Sequence, residues 1–170
     1  MNNFIGAIKK SLESNNNYAA LFICLAIPDI CGKIEYPKVN SSNRYISWFE
    51  EYMPKYSDFL SGDDCYALRC SLFHEGSDNI EDQGIRKVLD HYVFLNSGPR
   101  YSLVKDCVFN GQKRSFLQLN VQKFCGDICF GLESWIRDMG SNEDVKKRME
   151  NLIKIHDAGY VYGDRAIKFG

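Results

Sequence analysis

The stretch ALRCSLFHEGS, residues 67–77, sets an arginine, Arg69, five positions before a histidine, His74. These two side chains together could work on a phosphodiester. A guanidinium is a planar, permanently charged fork that matches phosphate oxygens. An imidazole titrates near neutral pH and can move a proton at either end of a reaction. The same residues also have a plain structural reading, in which Arg69 is a solvated helix position and His74 answers the negative end of the helix dipole. On a straight helix, residues five apart are turned about 140° from each other. The pair therefore converges only through the reach of Arg69, the helix end at Gly76, or a second copy of the chain.

Other groupings offer less. Cys70 and His74 are four apart, as are Cys125 and Cys129, but each pair supplies two ligands where a closed zinc site takes four. No C-x-x-C occurs, and no metal or cofactor is expected. A Cys70 nucleophile with His74 as its base would sit in mid-helix, with Arg69 as its one activating neighbour. Asp157 and Asp164 are isolated carboxylates, and His91 and His156 read as surface or hydrogen-bonded histidines. Gly159 to Gly163 does not lead from a strand into a helix, so it is no phosphate-cradling loop.

The elements that would carry the motif follow from periodicity. Residues 3–13 fit a short helix, and residues 18–34 an apolar, buried one that Pro28 should kink. Ser41 and Ser42 offer a cap for a third helix, residues 45–56, with an aromatic stripe of Tyr45, Trp48, Phe49 and Tyr52. Ser61 to Asp64 opens the motif helix with two carboxylates at its positive end, and Cys65, Leu68 and Leu72 form its inward face. Residues 91–96, 103–109 and 114–119 are short and rich in β-formers. Asn110-Gly111 signals a hairpin between the last two, so a small antiparallel hairpin or meander is expected. Helical period returns from Asn120 to Met139, and a capping-box spacing at residues 141–144 starts a last helix to about residue 155.

The chain has 170 residues, 45% of them hydrophobic and 25% charged, which suits one domain with a proper core. Its longest apolar run, residues 19–27, is about half of a membrane span, and the N-terminus does not read as a secretory signal. A cytoplasmic protein with no membrane association is expected. The seven cysteines are odd in number and most fall at apolar positions, as reduced, buried thiols do. Net charge is −1, so no global pull on nucleic acid exists. The distribution is uneven: residues 50–90 hold ten acidic side chains, whereas residues 97–123 hold Arg100, Lys105, Lys113, Arg114 and Lys123 against Asp106. A polyanion would prefer the second region, which makes Arg100, Lys105, Lys113 and Arg114 the candidate substrate contacts.

ALRCSLFHEGS resembles the R-x4-6-H signature of the HEPN superfamily, helical nucleotide-binding and ribonuclease domains. LFICLAIPDICGKIE, residues 21–35, is similar to a segment of uncharacterised bacterial members of that group. The resemblance spans about the first 80 residues, with residues 91–119 as a β-hairpin insertion and residues 120–155 as C-terminal helices of a single domain, residues 1–170. It implies a mainly α bundle of about five or six helices. It also implies a homodimer that brings two Arg/His pairs into one cleft, and metal-independent RNA cleavage. Arg69 would stabilise the phosphorane, and His74 would act as general base or acid around 2′-OH attack. Active members commonly carry a polar residue after the arginine, where this chain has Cys70, a poor hydrogen-bonding partner. The alternative is a non-catalytic HEPN-like dimer that binds a nucleotide or a protein partner.

Overall fold

The structure is a computed structural model that describes residues 1–156, 160–162 and 167–169. Apolar residues at helical spacing build α1 (Asn2–Glu13), α2 (Asn17–Glu35), α3 (Ser41–Tyr52), α4 (Gly62–Glu75) and α5 (Val121–Asp138). α2 is the central one, packing on α1, α3, α4 and α5. Cys24, Leu25, Ile27 and Cys31 of α2 are fully buried, and the helix runs unbroken through Pro28. It is long and apolar enough to cross a membrane by length and composition, with half of its apolar window buried within the fold. Trp48, Phe49, Tyr56, Phe124 and Trp135 complete the core between α2, α3 and α5.

The sheet overturns part of the sequence reading. β1 (His91–Leu95), β2 (Tyr101–Phe109) and β3 (Gln112–Asn120) lie in the order β1-β3-β2. β2 and β3 form the hairpin, turning through Asn110 and Gly111, both at positive φ. β1 instead pairs with β3 in parallel, from His91 opposite Phe116 to Leu95 opposite Asn120. The expected mainly α bundle with an antiparallel hairpin or meander insertion at 91–119 is therefore corrected to helices joined by a mixed sheet that shares their core. The burial explains the order. Leu117 and Leu119 of β3 and Tyr92 of β1 are wholly buried, whereas Val104 and Val108 of β2 are exposed, so β3 takes the centre and β2 an edge. The chain between β1 and β2 crosses the end of β3, where the Asn120 N–H donates to the Arg100 carbonyl at 3.0 Å.

Two further differences concern the C-terminal part. α6 (Glu143–Met149) is capped by Asn142, whose side chain accepts from the Val145 N–H, and it stops well short of residue 155. A short antiparallel pair, β4 (Tyr160–Tyr162) and β5 (Ile167–Phe169), follows.

Candidate functional site

α4 is fixed at both ends. Ser61 caps its start by accepting from the Asp64 N–H at 3.1 Å. The Asp64 carboxylate, almost fully buried, accepts from Ser61 Oγ and from the backbone N–H groups of Lys87 at 2.8 Å and Val88 at 3.3 Å. It thereby fastens the segment leading to β1 onto the motif helix. At the other end Gly76 adopts a left-handed φ of 66° and its N–H returns to the Leu72 carbonyl at 3.0 Å. That conformation costs an L side chain about 1–2 kcal/mol, which accounts for the glycine after His74-Glu75. Ser71, buried on the inner face, donates to the Asn79 carbonyl at 2.6 Å.

Arg69 does not run out into solvent. Its Nε lies 2.7 Å from Oδ2 of Asp29 on α2, with the two side chains 23% and 14% exposed. The contact is a close ion pair whose angles are not those of an aligned hydrogen bond. Asp29 is held in turn by Ser41, whose hydroxyl donates to Oδ1 at 2.9 Å. Burial, the largest single influence, lowers the guanidinium pKa, but the Asp29 carboxylate together with Cys70 and Tyr66 outweighs it and the net direction is upward. The guanidinium also lies over the Phe73 ring, 5.0 Å from its centroid, and Phe73 packs on Phe22 of α2 at 5.1 Å. Both rings remain more than a third exposed. His74 is exposed in the last turn of α4 and makes no hydrogen bond or ion pair with the described residues. Within one chain, then, Arg69 points toward α2 while His74 stands at the helix end, as the angular argument requires.

The candidate substrate contacts divide into two kinds. Arg100 is ion-paired with Asp127 on α5, and that carboxylate, buried, also accepts from Lys55 Nζ at 2.5 Å and the Tyr56 hydroxyl at 2.8 Å. The hydrogen bond to Asp127 holds the Arg100 guanidinium above its usual pKa. Arg114 is ion-paired with Glu81, which also faces His91 at 3.6 Å. Lys105 and Lys113 stand exposed on the β2–β3 hairpin. Within the acidic segment two carboxylates are answered by cations of the same segment: Lys87 pairs with Asp63 at 2.6 Å and Arg86 with Asp90 at 2.8 Å.

All seven cysteines are free thiols. Among the described residues no three His, Cys, Asp or Glu side chains come together as a metal-binding group. Asp157, Gly159, Gly163 and Asp164 lie outside the described residues. Sequence reasoning missed Asp29 and Asp127, and it placed Asp64 at the start of the motif helix without its hold on the Lys87 and Val88 backbone. The available signal for Asp29 was its position, a lone carboxylate in an apolar helix face, which requires a buried partner.

Comparison with family models, with curated proteins and with solved structures finds no match to this chain.

Proposed function

We propose that the chain is a HEPN-like endoribonuclease that works as a twofold dimer, with Arg69 and His74 from both copies completing one metal-independent site. The observation that carries this reading is the surface beside the motif. Arg69 lies over Phe73, which is paired with Phe22, and both rings are left partly exposed next to a solvent-facing His74. An aromatic patch continuous with two chemistry-bearing residues suits a self-complementary contact, in which the same patch serves on both copies. Such a contact would exclude water from the patch and set two arginines and two histidines around a phosphodiester. Asp29 would hold Arg69 in one orientation, so that its remaining N–H groups are directed rather than wandering. His74, at the helix end, would take the 2′-hydroxyl proton or give one to the leaving oxygen.

A second reading rests on the same ion pair. With its charge answered by Asp29, Arg69 can serve as a brace between α2 and α4 in a non-catalytic dimer that binds a nucleotide or protein partner. One experiment separates the two. Wild type, His74→Ala and Arg69→Lys are incubated with mixed-sequence single-stranded RNA in EDTA, with sedimentation and melting curves run in parallel. The nuclease reading expects a dimer, cleavage in chelator, and a loss of roughly 10²–10⁴-fold for His74→Ala with little change in melting. Arg69→Lys should remain impaired, since an ammonium cannot reproduce the guanidinium fork. Intact RNA with a dimeric wild type supports the binding module, and a monomer at high micromolar concentration removes the composite site.

A further inference from the structure

Asp127 gathers more positive charge than it can answer. Lys55 Nζ lies 2.5 Å from its Oδ1, and Arg100 is paired with its Oδ2, which also accepts from the Tyr56 hydroxyl at 2.8 Å. Both oxygens belong to one carboxylate, so the two cations converge, with two positive charges against one negative. The burial is layered as well. The Asp127 side chain is 11% exposed, whereas those of Lys55 and Arg100 are each 43% exposed. A buried carboxylate thus holds the two cations from beneath, and their remaining N–H donors are left for another acceptor. Lys123 adds a third positive charge, its Nζ donating at 3.0 Å to the carbonyl of Gly98, two residues before Arg100. Asp58, exposed beside Phe59, opposes them, and the surplus stays positive.

Each of the paired cations has an exposed aromatic ring as its neighbour. Phe130, three residues on from Asp127 in α5, is 63% exposed, and Lys55 Nζ lies over it at 5.9 Å from the ring centroid. Tyr101 follows Arg100 directly and remains 42% exposed, although Phe59 stacks on it with centroids 3.6 Å apart. Phe59 also packs against Tyr56 at 5.2 Å, which ties the Tyr101 ring to the carboxylate cluster. Along these contacts the order is ring, cation, cation, ring.

We propose that this cluster binds single-stranded nucleic acid, with one phosphodiester bridging Lys55 and Arg100 and the two flanking bases resting on Phe130 and Tyr101. The order of the contacts matches the order base, phosphate, base along a strand. A free phosphate would use the cations and leave the rings bare, and a duplex keeps its bases stacked on one another, away from the rings. Stacking on an aromatic side chain tolerates every base, so little sequence preference is expected. Lys113 does not join the cluster: it sits opposite Val108, seven residues along β2 from Tyr101, roughly 20 Å at the rise of a strand. This inference goes beyond the nuclease reading and does not rest on it, since holding a strand is an equilibrium property that needs neither Arg69 nor His74.

The test uses the full chain and a fluorescent single-stranded DNA of mixed sequence, roughly eight nucleotides long, within the usual site sizes. It is followed by anisotropy from low to high salt. The probe has no 2′-hydroxyl, so binding is read without cleavage by 2′-OH attack. Lys55→Gln and Arg100→Gln should each weaken binding and lower the slope of log K against log salt by about 0.7, the share of one phosphate contact on a single strand. Phe130→Ala should weaken it by about fivefold or more with the slope unchanged, and Asp58→Asn should strengthen it. Phe130 and Asp58 are exposed, so these two variants keep the test decisive if melting curves show the cation variants to be unfolded. No binding at low salt, a duplex bound as tightly as the single strand, an indifferent Phe130→Ala, or an unchanged salt slope in folded Lys55→Gln would each overturn the assignment. Binding at this cluster without RNA cleavage in EDTA would keep the site and sink the nuclease reading. Cleavage by a protein whose binding ignores these variants would do the reverse.

Discussion

Arg69 meets three demands at once: an ion pair to Asp29, a ring face at Phe73, and a position five residues before an exposed histidine. The motif itself was legible in the sequence, because arginine, histidine and the closing glycine are local features. The partner was not, since 40 positions separate Asp29 from Arg69 and nothing in a single chain's periodicity pairs them. Asp29→Asn tests what the pair contributes. Removing the carboxylate charge leaves a guanidinium whose side chain is 23% exposed without its counter-ion, a loss of about 1–2 kcal/mol, between the exposed and fully buried cases. Urea denaturation should show the midpoint falling with an unchanged slope. An unchanged midpoint would mean that solvent answers the Arg69 charge as well as Asp29 does.

Among the elements, the five longer helices were legible because each has a continuous apolar face and a stop, such as Ser61 and Gly76 around α4. The parallel pairing of β1 with β3 was not, because it joins His91 to Phe116 and depends on which strand the core covers. The end of α6 was also missed: Ile153 and Ile155 carry the apolar pattern onward, yet both are largely exposed. Close helix contact is the other hidden feature. A Cβ added at Gly32 of α2 would lie 2.8 Å from the Arg44 carbonyl oxygen of α3, a backbone atom that cannot step aside. Gly32→Ala should therefore separate α2 from α3 and lower stability by about 1–3 kcal/mol, despite alanine's better helix propensity. Calorimetry that found the variant more stable than wild type would contradict that contact.

At the scale of the whole molecule, burial resists the ionisation of Cys24, Cys31, Cys65 and Cys129. Burial pushes Cys65 up from its ordinary 9.0 to about 12 and Cys129 to about 11, and it raises Cys24 and Cys31 as well. In the unfolded chain these groups ionise near their ordinary value, so the stability they contribute is fully present below about pH 9 and is lost as pH rises through the folded values. Cys65 alone should cost about 1.4 kcal/mol per pH unit across that interval. The melting temperature should thus stay level from pH 7 to 8.5 and fall steeply above pH 9. A level profile to pH 11 would show that the thiols ionise within the fold. The reduced, buried state of most cysteines was legible from their apolar positions. The exposed Phe22–Phe73 pair was not, because it forms only when α2 and α4 lie side by side.

Asn120 is both the last residue of β3 and the cap of α5, its side chain accepting from the Lys123 N–H at 3.0 Å. No linker separates the sheet from the helices at that point, so there is no hinge on which the strands could swing. The sheet and α5 consequently form one unit of cooperative opening: a fluctuation that frees the end of β3 also uncaps the longest amphipathic helix, and thermal motion there is all-or-none rather than gradual.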